Sequence, residues 1–135
     1  MITAVDSSVL LDVFLPDPDH GPASAAALRR CLAEGSLIAC DVVWAEVAPR
    51  FPSEDLVRRA MGELGVAFVA QDEETALLAG SAWRAYRRAG GRRERLVPGF
   101  LVGAHARLRA DRLLTRDRGF YRRWFRGLRL VEPTP

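Results

Sequence analysis

The chain has 135 residues, 49% of them hydrophobic, and a formal net charge of +3. That is the size of one domain with enough apolar material for a real core, which excludes a disordered segment. No apolar run approaches the ~18 residues of a membrane span, and the two cysteines match no zinc pattern.

Ile2-Thr3-Ala4-Val5 reads as a short strand ending at Asp6. Ser7 or Ser8 is placed to cap a helix through Phe14, with Val9, Leu10, Val13 and Phe14 as its apolar stripe. Pro16 to Pro22 is a loop, and a helix follows from about Ala23 to Glu34, stopped by Gly35. Ser36 to Cys40 is a second strand; Asp41 is the N-cap of a helix that carries Trp44 and Glu46 and ends before Pro49. Ser53 caps the next helix, which has Glu54 and Asp55 in its favourable first turn and runs to Leu64. Val66 to Val69 is the third strand, and Asp72 opens a long helix through about Ala89. Gly90-Gly91 ends it, and Arg92 to Arg95 form a basic loop. Pro98 suits the first position of a helix through about Ala110. Arg112 to Thr115 is the fourth strand and Leu128 to Val131 a short fifth.

Short strands alternating with helices predict a three-layer α/β/α sandwich around a mainly parallel sheet of four or five strands. No repeat, linker or low-complexity tract divides the chain, so residues 1–135 read as one Rossmann-like domain. MITAVDSSVL lacks a basic start and meets Asp at position 6, unlike a signal peptide, so a cytoplasmic location is expected. Cys31 and Cys40 read as two small buried thiols.

Charge is divided along the chain. Residues 1–83 hold five Arg against 13 acids, and residues 84–135 hold 15 Arg against four. All 20 basic residues are Arg, whose planar fork suits phosphate. A basic half beside an acidic half points to a polyanion partner for one face, although solvated helix faces give the same count.

Three acids stand where a strand hands over to a turn or helix. Asp6 ends the first strand; Asp117 follows the apolar end of the fourth, between Arg116 and Arg118, whose charges favour its ionised form. Glu46 sits among Val43, Trp44, Val47 and Ala48, a setting poor in solvent where burial without a partner is expensive. In a parallel sheet the carboxyl ends of strands share the edge where ligands bind. Carboxylates gathered there repel unless a cation lies between them, and an oxygen-only donor set selects Mg²⁺ or Mn²⁺. The pattern reads as a metal-dependent phosphodiester hydrolase, with Thr115 offering a hydroxyl to a ligand or metal-bound water. Each acid also has a plain reading as a turn or helix-surface residue.

Rivals are thin. Asp6-Ser7-Ser8 lacks the second Asp of a phosphatase, no Lys exists for a P-loop or phosphate receiver, and no Gly-rich loop follows the first strand. His105 reads as a structural helix residue and His20 as a loop residue. Trp44, Trp83 and Trp124 read as core or interface aromatics. Trp124 and Tyr121, among Arg118, Arg122, Arg123 and Arg126, alternatively stack on bases.

AVDSSVLLDVF, LIACDVVWAEVA and PGFLVGAHARLRADRLLTRDRGFYRRWF together resemble the PIN-domain ribonucleases, specifically the VapC-type toxins of toxin–antitoxin pairs. The likeness covers nearly the whole chain, and the third segment is its most specific part. It implies acids that hold Mg²⁺ or Mn²⁺ and cleave single-stranded RNA: Asp6 as central ligand, Glu46 and Asp117 direct or through water, Thr115 behind them. It also implies a homodimer and a cognate antitoxin, whose C-terminal segment would lie in a groove offered by Leu10, Val13, Phe14, Ala27 and Leu28. One departure stands out. The family's helix opens Pro-Asp-Phe, its Asp a metal ligand; this chain has Pro98-Gly99-Phe100. Gly is a poor helix former where Asp would favour the macrodipole, and the sequence shows no structural gain. With one anionic ligand gone, the metal should bind weakly and turnover should be low, while RNA affinity rests on the Arg surface. The alternative is a PIN-like module that binds RNA or antitoxin and does no chemistry.

Overall fold

A computed structural model describes residues 1–92 and 97–134. Among the described residues, five parallel strands form one sheet in the order β3-β2-β1-β4-β5, flanked by seven helices in the three-layer α/β/α arrangement. The strands are β1 (Ile2–Val5), β2 (Ser36–Ala39), β3 (Val66–Phe68), β4 (Arg112–Leu114) and β5 (Leu130–Val131). The helices are α1 (Ser7–Phe14), α2 (Gly21–Glu34), α3 (Asp41–Val47), α4 (Glu54–Glu63), α5 (Glu73–Arg88), α6 (Val97–Arg109) and α7 (Arg118–Trp124), with a 3₁₀ turn at Ala48–Arg50.

The central strand β1 pairs Ala4 with Ile38 of β2 on one side and with Leu113 of β4 on the other. Burial on both faces explains its apolar run, and Ala4, Val5, Leu37, Leu113 and Leu114 are all core residues. Chain order runs outward from β1 to β3 in one direction and from β4 to β5 in the other. The crevice at the carboxyl ends of β1 and β4 is therefore the switch point where such sheets bind ligands.

Several boundaries move by local chemistry. Asp6, not a serine, is the N-cap of α1: its backbone is extended and its carboxylate accepts the Ser7 N–H. Helix α2 starts at Gly21, so Pro22 lies in its first turn rather than in the loop. Cys40 takes the cap position ahead of α3, leaving Asp41 as the first helical residue. Asp72 caps α5 in a reciprocal box with Thr75, and Arg109 of α6 pairs with the same carboxylate. Helix α7 follows Asp117 directly, an element the sequence pattern did not single out. Of the expected basic loop, residues 93–95 lie outside the described residues. Both cysteines are free and buried.

Candidate active site

Asp6 leaves the end of β1, and its N–H still donates to Leu114 O of β4 at 2.9 Å. Its carboxylate therefore stands over the switch point, 8% exposed. One oxygen accepts from Ser7 N at 2.8 Å. The other accepts from Thr115 Oγ1 at 2.7 Å and, at 3.4 Å, from Tyr121 OH. Burial raises the Asp6 pKa; these hydrogen bonds oppose the rise, and the charge of Asp117 adds to it.

Glu46 reaches the same place from α3. It is not buried in the helix core, as its apolar neighbours suggested; the helix turns it to the exposed rim, where Ser7 Oγ donates to it at 3.1 Å. Partial burial of the carboxyl within the cleft still raises its pKa, the Ser7 bond works against this, and repulsion from Asp6 adds to it.

Asp117 occupies the cap position of α7, yet its side chain makes no capping bond. The flanking arginines turn to other partners: Arg116 pairs with Asp12 and Arg118 with Glu132. Among the described residues the Asp117 carboxylate has no hydrogen bond or ion pair, and it faces the cleft. Thr115 is fully buried below. Its hydroxyl donates to Asp6 and accepts from Asp117 N at 3.0 Å, so it holds these two acids in place.

Asp6, Glu46, Asp117 and Gly99 thus line one open cleft of about 440 Å³. Pro98, Val102 and Phe120 give it an apolar lining as well. A Cβ on Gly99 would meet the Phe120 ring, so a packing reason for glycine exists that the sequence could not show. Arg116 and Phe120 also line the cleft and escaped the sequence reading; the signal for Arg116 was a lone Asp12 inside the apolar run VLLDVFL.

The donors fit a hard divalent cation in kind. They are anionic oxygens, the charge of Asp117 raising the pKa of Asp6 and that of Asp6 raising the pKa of Glu46, and the buried Ser8 Oγ on the same cleft has no partner among the described residues. Among the described residues, however, no three His, Cys, Asp or Glu side chains gather closely enough to hold one ion.

His105 is buried in α6 away from the cleft, and burial lowers its pKa. Tyr121 is 3% exposed and cannot offer a face to a base. Trp124 packs edge-on to Tyr86, with Arg123 over its ring at 4.8 Å. Leu10 and Ala27 belong to the core, not to a groove. Val13 and Leu28 do line an apolar groove between α1, α2 and α4, with Leu32 and Leu64. Among the described residues no helix is long and apolar enough to cross a membrane.

The PIN domain family model matches residues 3–124. A search of curated proteins returns no match. Similar solved structures include VapBC2 from Rickettsia felis bound to a DNA fragment from its promoter, at 15% identity and a TM-score of 0.73, with 98% of each chain covered. VapBC-1 from nontypeable Haemophilus influenzae matches at 16% identity and 0.72 over 100% of each chain. FitAcB from Neisseria gonorrhoeae matches at 16% and 0.72 over 98% of each. These likenesses describe the fold, whereas the family model covers most of the sequence itself. The chain belongs to the PIN domain family.

Proposed function

We propose that this chain is a metal-dependent endoribonuclease of VapC type, the cytoplasmic toxin of a toxin–antitoxin pair, and that Gly99 weakens it. The observation that carries the reading is the convergence of Asp6, Glu46 and Asp117 on one solvent-open cleft at the switch point of a PIN-family sheet. Asp6 is the central metal ligand, with Glu46 and Asp117 beside it, direct or through water. Bound Mg²⁺ or Mn²⁺ would supply a Lewis acid and an activated water. Thr115 fixes the orientation of Asp6, and Ser7 holds Glu46 toward it. The Arg-rich second half supplies the attraction for single-stranded RNA.

A similar solved structure is a toxin–antitoxin complex from Klebsiella pneumoniae, and the likeness supports a protein partner for this chain. The apolar groove beside Val13, Leu28 and Leu32 suits the C-terminal segment of such an antitoxin. A homodimer belongs to the same reading. A binding module without chemistry is the second reading, favoured by the missing acid at position 99 and the ring that fills its space.

Cleavage of labelled single-stranded RNA in Mn²⁺, by the unaltered chain and by Gly99→Asp, separates the two. Feeble cleavage that rises in the variant supports the enzyme. No cleavage by either chain, with RNA still bound, supports the module.

A further inference from the structure

We propose that Arg116, a cation on the cleft, contacts the substrate phosphate, and that Asp12 and Ser24 are its positioning residues. The proposal rests on the nuclease reading and adds a substrate contact to it.

Asp12 lies on α1 and is only 4% exposed. Its carboxylate takes the side-on fork of Arg116: Oδ2 accepts from Nε at 2.7 Å and Oδ1 from Nη2 at 3.0 Å. Ser24 Oγ of α2, fully buried, donates to Oδ2 at 2.7 Å. Two helices are thereby tied to the turn between β4 and α7.

An arginine in a cleft with three carboxylates should fall onto them. This one does not: among the described residues Asp12 is its one ion-pair partner. The fork uses Nε and Nη2 and leaves Nη1 without a hydrogen-bond partner among the described residues. The side chain stays 35% exposed and lines the cleft together with Asp6 and Asp117. A guanidinium held along one edge and open along the other is arranged to take an anionic oxygen. Because the fold fixes the side chain in advance, little rotamer freedom is lost on binding. A cation here also offsets the repulsion between the carboxylates and an entering phosphodiester.

A pair that merely staples helices predicts something different. Buried pairs of this kind can be replaced with little net loss of stability, and stapling gives Arg116 no effect on ligand affinity. The test is binding of a fluorescein-labelled single-stranded RNA, followed by anisotropy at several salt concentrations, with melting curves to confirm folding. Arg116→Gln should lower affinity about tenfold, the scale of one charged hydrogen bond. It should also reduce the salt slope by about 0.7. Arg116→Lys should keep the slope and still bind more weakly, having lost the fork. Asp12→Asn should weaken binding although Arg116 retains its charge, and the double variant should be no weaker than Arg116→Gln. If Asp12→Asn does not fold, the two Arg116 variants decide alone. Unchanged affinity and slope in Arg116→Gln overturn the proposal while leaving the nuclease reading intact. Absence of RNA binding by the unaltered chain overturns both.

Discussion

The ring of Phe120 fills the space into which a side chain on residue 99 would project: a Cβ added to Gly99 would lie 2.9 Å from Phe120 Cε2 and 3.1 Å from Cζ. Phe120 packs edge-on against Phe100 and Tyr121, with centroids 5.1 and 5.0 Å apart. Tyr121 in turn reaches Asp6. An acid restored at position 99 must therefore displace a ring whose neighbours support the central carboxylate. Gly99→Asp alone should bind Mn²⁺ more tightly than the unaltered chain, and Gly99→Asp with Phe120→Ala should bind more tightly still, by about tenfold, or ~1.4 kcal/mol. Calorimetric Mn²⁺ titration of the three proteins checks the order. Equal affinity in the single and double variants would show that the ring is no obstacle.

The raised Asp6 pKa has a sign that can be measured. With its folded pKa above the unfolded value, the native state binds the proton more tightly, so ionisation at higher pH costs stability. Without metal, Asp6→Asn should raise the melting temperature at neutral pH. The gain should shrink as pH falls through the raised folded pKa and vanish by the unfolded value near 3.8, below which Asp6 is protonated in both states. Melting curves in EDTA across that range test it; a loss of stability at neutral pH contradicts the account.

Asp72 carries the opposite shift. The Thr75 N–H, and then the Arg109 guanidinium, hold its pKa down at about 2 from 3.8. Its contribution to stability is present above the unfolded value and is lost as pH falls through the folded one. Asp72→Ala should lower the melting temperature at pH 7 by removing the cap of α5 and the tie to α6. The difference from the unaltered chain should fade between about pH 4 and pH 2. RNA binding should not change, since Asp72 does not line the cleft.

Thr115→Val keeps the shape but removes a hydroxyl that serves two acids. It leaves Asp117 N and one Asp6 oxygen short of a partner, so it should cost about 1–3 kcal/mol of stability. It should also weaken Mn²⁺ binding, because Asp6 loses its shortest side-chain bond. Chemical denaturation and metal titration read the two effects separately.

Much of the fold was legible because period and punctuation agreed: short apolar strands of two to four residues, capped helices, and Gly stops after α2 and α4. Asp6 and Asp117 drew attention because each follows a strand end, and both line the cleft; Glu46 lines it too, but from an exposed position and not from the apolar burial its neighbours suggested. The partnerships were not. Arg116 and Arg118 neighbour Asp117 in sequence, yet their side chains leave for Asp12 and Glu132, one over a hundred positions away. The packing of Phe120 on Gly99 joins two helices and leaves no trace in either local pattern. Tyr121 looked like a surface aromatic among arginines, and its burial follows from the turn of α7 against the sheet.

Manganese binding followed by electron paramagnetic resonance, on the unaltered chain and on Asp6→Asn, tests the metal cleft most directly. The account predicts weak saturable binding by the unaltered chain and its loss on replacing Asp6. Equal binding by both proteins would contradict it, for the ion would then be held somewhere other than the cleft shared by Asp6, Glu46 and Asp117.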